Sequence, residues 1–228
     1  MIGNVFHVLI YQPLYNALVF LIGVIPSHDV GIAVVLLTII ARIILFPLSR
    51  RAVDSQLAMK KLEPEIEEIK KKHKKNSPEQ SQAIFALYKE RDVHPFAGFG
   101  LTLIQIPILL ALYWVFYYEP FSTVSAINTA RLYSFTPTPN DMSLQFLGII
   151  SVAGKSMILA VLAGLTQFLQ AHMALNGSMK LSAGSGMQGN FQKVMGMQLK
   201  YVFPFLIGAI SYSTSGAIAL YFIATNLA

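Results

Sequence analysis

Apolar residues occur along this chain in blocks, separated by segments that hold most of the charge. Three such blocks cover residues 30–48, 99–117 and 156–175. A helix needs about 20 apolar residues to cross the hydrocarbon core of a bilayer, so each block predicts a transmembrane helix. The pattern therefore predicts an all-α, polytopic membrane protein.

The last apolar block, residues 201–228, has to be divided. It is too short for two full-length spans and a loop, yet residues 211–216 form a turn-like interruption rich in Ser and Thr. We therefore predict two short helices, 200–212 and 215–228, which cross a thin part of the membrane or tilt little. With the three longer blocks they make five spans.

The N-terminal segment, residues 2–25, is ambiguous between two arrangements. His7, Gln12, Pro13 and Asn16 interrupt its apolar character, and Gln12 and Asn16 lie on the same face of a helix. This pattern favours an interfacial helix over a sixth span.

Residues 52–92 are the most highly charged segment, with apolar residues at helical spacing before and after a break at residues 76–80. In the break Ser77 can cap a helix, Pro78 suits its first turn and Gln80 completes a capping box. The segment predicts a helical hairpin. Its charges are either a solvated face or a surface for the ribosome, lipid headgroups or a nascent chain.

Residues 176–199 form a second polar segment, rich in Gly, Ser, Met and Gln, which we expect to be mobile. Its methionines either form an adaptable apolar surface that binds varied hydrophobic partners or are ordinary residues at the membrane edge.

Most of the 17 Lys and Arg residues lie in two segments. Twelve lie between Arg42 and Arg91, and three lie between Lys180 and Lys200. Both segments lie on the same side of a five-span arrangement, and the positive-inside rule assigns that side to the cytoplasm. We therefore expect the N-terminus and an external loop at 119–155 to lie outside and the C-terminus to lie in the cytoplasm.

Arg42 lies inside the first predicted span, with apolar residues on both sides. A guanidinium at that depth costs about 3 kcal/mol on insertion scales, unless a cavity, water or a partner receives it. The alternative is that the long side chain reaches the headgroups. However, Arg50 and Arg51 already supply interfacial anchors, and the predicted spans contain no Asp or Glu. Arg42 is therefore a candidate functional residue without an acidic partner in the spans.

The composition is that of a membrane protein, and the sequence contains no clear catalytic or metal-binding motif. Hydrophobic residues make up 54% of the chain, charged residues 12%, and there is no Cys. The histidines lack metal-ligand spacing, and Gly148 to Ser156 has the wrong glycine spacing for a phosphate loop. Ser215 with His172 is weak support for a serine protease. We expect no enzymatic activity, no cofactor and no metal.

The first Lys or Arg is Arg42, so we also expect the chain to insert without signal cleavage.

Four motifs follow one another along the chain in a fixed order. They are Thr38-Ile-Ile-Ala-Arg42-Ile-Ile-Leu-Phe-Pro47-Leu48, Leu62-Glu-Pro-Glu65, His94-Pro-Phe-Ala-Gly98 leading into Leu103-Ile-Gln105-Ile-Pro107-Ile108, and Ala219-Leu-Tyr221 before Asn226-Leu227. Together they resemble the YidC-type membrane protein insertases of the Oxa/Alb superfamily. The chain departs from the family pattern at His94 (usually Asn), Thr102 (commonly Pro or Leu) and Phe222 (often Trp). We also expect a short form of the family, without a counterpart of the large extracytoplasmic domain of Gram-negative members.

The resemblance implies five transmembrane helices around a hydrophilic groove that opens to the cytoplasm and the lipid and is closed outside. The residues implied to line the groove are Arg42, Thr38, Gln105, Gln167, Tyr221 and Phe222. For Gln105 and Gln167 the alternative role is to hydrogen-bond neighbouring helices.

The implied function is that of an insertase in the bacterial plasma (inner) membrane. It would move short hydrophilic tails of newly made membrane proteins across the bilayer and release their apolar segments into lipid. The ribosome and the Sec translocon are further candidate partners, and no specific nucleic acid is expected. Two alternatives stay open from the residues alone. A small anion channel or transporter could use Arg42 as its binding charge, and a membrane scaffold would use the helices only for packing.

Overall fold

The computed structural model describes residues 5–73, 77–93, 97–118, 123–178 and 197–228, and helices predominate in them. The eight α-helices in this part of the chain are α1 (Gln12–Val24), α2 (Val30–Lys61), α3 (Glu63–Lys72), α4 (Ser77–Glu90), α5 (Ala97–Tyr118), α6 (Met157–Ser178), α7 (Phe203–Ser213) and α8 (Gly216–Leu227). Single π-helical turns, His7–Tyr11 and Gln198–Val202, precede α1 and α7. The expectation of a mostly helical membrane protein is confirmed.

Two helical stretches among the described residues are both long and apolar enough to cross a membrane, His7–Val24 and Val30–Met59. Three further apolar stretches are shorter, namely Ile106–Tyr117, Met157–Met173 and Gly216–Leu227. The five-span arrangement therefore stays a prediction. So does the interfacial placement of the N-terminal helix, because its length and hydropathy also suit a span.

Helix α2 is longer than the predicted span. The pattern placed the end of the apolar block at residue 48, but the helix continues to Lys61 with Pro47 inside it. Pro47 has no N–H, so the helix lacks one backbone hydrogen bond, to the carbonyl of Ile43 four residues earlier. Ser49 Oγ donates to the Leu45 carbonyl at 3.1 Å, a bond within the same helix. The residues beyond it include the good helix formers Ala, Gln, Leu, Met and Lys, which carry the helix on.

The described chain divides into two compact units. The first unit comprises the described residues up to Ile44, Gln105–His172 and Leu199–Ala228. Its core draws on α1, α2, α5, α6, α7 and α8. Helix α8 is the most deeply buried of these, since every residue from Gly216 to Phe222 is buried. The residues implied to form the functional site belong to this unit.

The second unit comprises Leu45–Ile104 and Met173–Gln198 as far as these residues are described. Helices α3 and α4 pack together in it around Leu62, Leu87 and Val93. Arg91 Nη2 donates to both carboxylate oxygens of Glu65, at 3.0 and 3.2 Å. The Gln80 side chain donates to the Lys70 carbonyl at 3.2 Å, so it joins the two helices rather than serving only a local cap.

The segment predicted only as an external loop, residues 119–155, is ordered where it is described. It contains two short 3₁₀ turns and a β-hairpin in which β1 (Gln145–Phe146) pairs antiparallel with β2 (Ile150–Ser151). The sequence predicted only a loop here, so the hairpin is an addition within a chain that is otherwise helical. Strands of two residues are too short to show the alternation of apolar and polar residues by which a strand is recognised in a sequence.

The polar face of α1 contacts this external segment. Asn16 is 3% exposed and uses both ends of its amide. Its Oδ1 accepts from the Tyr133 backbone N–H at 2.6 Å and from Thr136 Oγ1 at 2.9 Å, while its Nδ2 donates to the Arg131 carbonyl at 3.0 Å. Arg131 also donates to the Tyr11 hydroxyl at 3.1 Å. The face that suggested contact with the membrane surface is therefore occupied by protein.

Candidate functional site

Arg42 lies in the middle of the apolar part of α2 and is half-buried. Its Nη2 donates a hydrogen bond of 2.5 Å to the main-chain carbonyl of Thr225 on α8. The two residues are 183 positions apart in the sequence, so the contact joins helices from opposite ends of the chain. The guanidinium is therefore held by protein on one side.

The same guanidinium has a donor that the described residues do not use. Arg42 Nε is buried, and it has no hydrogen-bond acceptor among the residues that the structure describes. A buried donor without an acceptor is costly, and the cost is larger for a charged group. The arrangement therefore suits a bound water or an incoming acceptor such as a carboxylate.

No carboxylate within the described residues neutralises Arg42. The ion pairs found there, His73 with Glu79 and Arg91 with Glu65, both lie in the helical hairpin. A carbonyl oxygen orients the guanidinium but carries no net charge. The positive charge of Arg42 is thus uncompensated by the described protein, as the absence of Asp and Glu from the predicted spans indicated.

Tyr221 is the second predicted site residue that the structure brings to Arg42. Its side chain on α8 lies close enough to the guanidinium for an electrostatic interaction. Tyr221 and Phe222 are both buried, and their ring centroids lie 5.5 Å apart. Both rings are part of the core of the first unit.

Thr38 lies one turn before Arg42 on α2 and is buried. Its Oγ1 donates to the Val34 carbonyl at 2.7 Å, which commits the hydroxyl proton to its own helix. The hydroxyl oxygen can still accept a hydrogen bond. Thr38 therefore offers an acceptor on the helical face that carries Arg42.

Gln167 makes a hydrogen bond within its own helix. Its Nε2 donates to Gln170 Oε1 at 3.4 Å on α6, and the side chain is half-buried. The connection from α6 to α8 is made by the preceding residue instead, because Asn226 Nδ2 donates to Thr166 Oγ1 at 3.2 Å. Gln105 lies on α5, and its side chain is outside the described part of the structure.

Three polar residues around this site were not predicted as site residues, namely Thr166, Thr225 and Asn226. Thr225 acts through its main-chain carbonyl, which leaves no mark in the side-chain pattern. Asn226 stood in one of the four motifs, and Thr166 precedes a predicted site residue. A polar residue on an apolar helix was the available signal for these two.

The described residues contain no group of three or more His, Asp or Glu side chains placed to hold a metal ion. The chemistry that the site offers is therefore that of one fixed positive charge with polar neighbours.

Comparison with known proteins gives a consistent result over most of the chain. The family described as 60Kd inner membrane protein matches residues 21–228. The membrane protein insertase YidC of Clostridium tetani is 29% identical over 202 residues, which cover 89% of this chain and 79% of that protein. YidC of Oceanobacillus iheyensis is 27% identical over 206 residues, which cover 88% and 71%. YidC of Caulobacter vibrioides is 36% identical over 104 residues, but these cover only 46% of this chain and 17% of that protein.

The match extends from the end of the N-terminal helix through all the helices that follow, and it includes Arg42, Tyr221 and Thr225. With the apolar helices and the uncompensated guanidinium described above, it leads to one conclusion: this chain belongs to the 60Kd inner membrane protein family, the family of the YidC-type membrane protein insertases.

Proposed function

We propose that this chain is a non-enzymatic insertase that moves short hydrophilic tails of client membrane proteins across the bilayer. Arg42 attracts the tail into a hydrophilic groove open to the cytoplasm, and the client's apolar segment then leaves into lipid. The observation that carries the proposal is the buried Nε of Arg42, which has no acceptor among the described residues. The related proteins carry the name of membrane protein insertases, which agrees with it.

The barrier to be lowered is desolvation. A polar peptide that enters hydrocarbon loses its hydrogen bonds to water, and charged groups lose the most. A groove that holds water part of the way across shortens the dry distance that the tail must cross. The insertase then needs no energy-coupling domain for a short tail.

Arg42 supplies the attraction. Two unit charges about 4 Å apart interact by about 4 kcal/mol at an effective dielectric of about 20, before desolvation is subtracted. This is comparable with the cost of about 3 kcal/mol for placing the arginine at membrane depth. An attraction of that size holds an acidic tail transiently and still releases it.

The hydrogen bond to Thr225 orients the charge without neutralising it. A carboxylate at the same position would form an internal ion pair that competes with the client. A main-chain carbonyl fixes one edge of the guanidinium and leaves Nε for another acceptor. The uncompensated charge is therefore what the proposal requires.

The remaining parts of the proposal follow the sequence pattern for the spans and the family resemblance for the groove and its residues. Five spans, 30–48, 99–117, 156–175, 200–212 and 215–228, surround the groove, with Thr38, Gln105, Gln167, Tyr221 and Phe222 along it. The N-terminus lies outside and the C-terminus lies in the cytoplasm. Newly made membrane proteins and lipid are the partners, and the ribosome and the Sec translocon are candidates for delivering clients.

The experiment that tests this function reconstitutes the purified chain in liposomes and supplies a single-span client with a short acidic tail. We expect protease-protected insertion above that of empty liposomes. Insertion no higher than in empty liposomes would contradict the proposal. Solute flux is measured in the same vesicles, because rapid anion flux without insertion would support a channel instead.

A further inference from the structure

The tip of the β-hairpin exposes two large apolar side chains. Leu147 is 60% exposed and Ile149 is 77% exposed, and Gly148 lies between them. The hairpin's own strand residues, Phe146 and Ile150, pack instead against the core of the first unit. The apolar residues at the tip are thus turned away from the protein.

The fold holds this tip in a conformation that an unconstrained leucine disfavours. Leu147 has a φ of +53° and Gly148 a φ of +73°. The Leu147 backbone N–H donates to Asp29 Oδ2 at 2.7 Å, and the other carboxylate oxygen accepts from the Ile32 N–H at 3.0 Å. Asp29 is only 2% exposed. Since left-handed backbone is unfavourable for residues with a Cβ, a buried carboxylate here maintains the outward position of Leu147.

Hydrogen bonds fix the hairpin against the first residues of two helices. The Val30 N–H at the start of α2 donates to the Ser143 carbonyl at 3.0 Å, and the Ala217 N–H at the start of α8 donates to the Val152 carbonyl at 3.1 Å. Helix α6 begins at Met157, six residues after the hairpin ends at Ser151. Under the span arrangement of the proposed function, on which this inference rests, these helix starts mark the outer boundary of the bilayer.

The tip is also continuous in the chain with apolar side chains at the start of α6. Met157 is 61% exposed and Ile158 is 62% exposed. Between them and the hairpin lies Lys155, whose ammonium group is 5.9 Å from the ring centroid of Tyr212. Lysine and tyrosine together are typical of the membrane–water interface, where the cation meets lipid phosphates and the ring lies at headgroup depth.

We propose that the β-hairpin tip inserts into the outer leaflet of the bilayer. Leu147 and Ile149 lie among the upper acyl chains, and Lys155 binds the phosphate of a phospholipid headgroup. The occupant of this surface is lipid, because the tip is hydrogen-bonded to Asp29, directly before the start of α2, and because Lys155, a cation suited to phosphate, follows four residues after Ser151. The hairpin thereby anchors the external segment to the membrane.

The absence of cysteine from the chain allows a direct test by site-directed spin labelling. Single variants Ile149→Cys, Asn140→Cys and Leu165→Cys are labelled and reconstituted in liposomes of phosphatidylcholine and phosphatidylglycerol. Asn140 is an exposed polar residue of the same external segment, and Leu165 is an exposed residue of α6. Accessibility of each label to oxygen and to a water-soluble nickel complex reports its depth.

We expect the label at position 149 to be reached by oxygen and shielded from nickel, at a depth between those of positions 140 and 165. Nickel access at 149 equal to that at 140 would overturn the proposal, because the tip would then be in water. Shielding from both reagents would also overturn it, since the tip would then be buried against protein, such as a second copy of this chain.

The label at position 165 distinguishes a failure of this inference from a failure of the proposed function. If position 165 is also in water, the span arrangement fails, and the insertase proposal fails with it. If position 165 is deep and position 149 is in water, only the hairpin inference fails, and client insertion by the same vesicles remains.

The binding of Lys155 to anionic headgroups has its own measurement, because the phosphate of phosphatidylcholine is neutralised by the choline cation of the same headgroup. Replacing phosphatidylglycerol by phosphatidylcholine alone should make the label at 149 shallower, because Lys155 loses anionic headgroups. The variant Lys155→Gln should abolish this difference between the two lipid compositions. A difference that persists in Lys155→Gln would contradict the role given to Lys155.

Discussion

At the residue scale, Arg42 combines three properties. It is placed within an apolar helix, it is oriented by a main-chain carbonyl, and one of its buried nitrogens has no acceptor among the described residues. The carbonyl of Thr225 gives it direction, while the lack of a carboxylate keeps its charge available. A binding role for this side chain depends on the charge more than on the shape of the guanidinium.

We therefore expect Arg42→Lys to retain much of the insertion of acidic-tailed clients and Arg42→Ala to lose about tenfold. A loss of that size corresponds to about 1.4 kcal/mol, a fraction of the Coulomb attraction that survives desolvation. Arg50→Ala, which removes the same charge from an exposed position on the same helix, is the matched control and should change insertion less than twofold. Equal losses in Arg42→Lys and Arg42→Ala would instead assign the role to guanidinium geometry.

Asn16 illustrates a residue whose importance lies in hydrogen bonding. Replacing it with Ala leaves the half-buried Tyr133 N–H and the buried Thr136 hydroxyl without their acceptor. We expect a loss of about 1–3 kcal/mol in the free energy of unfolding, because unsatisfied buried donors carry their desolvation cost. Thermal unfolding in detergent micelles measures it. The exposed Asn140→Ala should change stability by less than about 0.5 kcal/mol, and an equal effect in both variants would contradict the assignment.

At the element scale, helices α6 and α7 approach each other at a pair of glycines. A Cβ built on Gly164 would lie 3.2 Å from the Pro204 carbonyl oxygen and 3.7 Å from the Gly208 Cα. Small residues allow this close approach of helices, which is a common device where lipid offers no hydrophobic driving force. The spacing leaves no room for a larger side chain.

Gly164→Leu should therefore separate α6 from α7 and lower the thermal stability of the protein. The contact is with backbone atoms, which cannot rotate away as a side chain could. Gly154→Leu is the control, because nothing lies within 4 Å of a Cβ at that position. Differential scanning calorimetry in detergent micelles compares the unfolding temperatures of the two variants. An unfolding temperature for Gly164→Leu equal to that of Gly154→Leu would show that the helices do not meet here.

The elements differ in how far the sequence could predict them. The apolar blocks predicted helices that the structure contains, because about 20 apolar residues in a row leave few alternatives. The continuation of α2 beyond residue 48 was not part of the predicted span, since the apolar pattern ends there and the helix goes on through polar residues. The β-hairpin was missed because its strands have two residues each and its turn residue Leu147 is hydrogen-bonded to the distant Asp29.

The site shows the same limit. Arg42 could be recognised from its own cost in an apolar helix, and its family role came from the resemblance of the surrounding motif. Thr225 could not be recognised, because a main-chain carbonyl is the same at every residue and only folding brings it to Arg42. Gln12 and Asn16 were correctly placed on one face, but the sequence could not show that protein rather than the membrane surface covers Asn16.

At the scale of the whole molecule, Arg42 is separated from most of the other charged residues. Most Lys and Arg residues lie in two polar segments, while Arg42 is the one charged residue of the apolar block at residues 30–48. The described carboxylates that form ion pairs do so in the helical hairpin. Arg42 thus offers a positive charge at the proposed path of the client, and no carboxylate among the described residues forms an ion pair with it.

If Arg42 attracts the tail, client selection depends on the number of acidic residues in the tail. Attraction to Arg42 grows with each added acid, while the contribution of the rest of the protein stays the same. The advantage of the unaltered protein over Arg42→Ala should therefore be small for a neutral tail and increase with tail charge.

The most direct test measures liposome insertion of one single-span client in versions whose tails differ only in the number of acidic residues, with the unaltered protein and Arg42→Ala compared for each. We predict a ratio near one for the neutral tail, rising toward tenfold as acidic residues are added. A ratio that is the same for every tail would contradict the claim that the charge of Arg42 draws the client in.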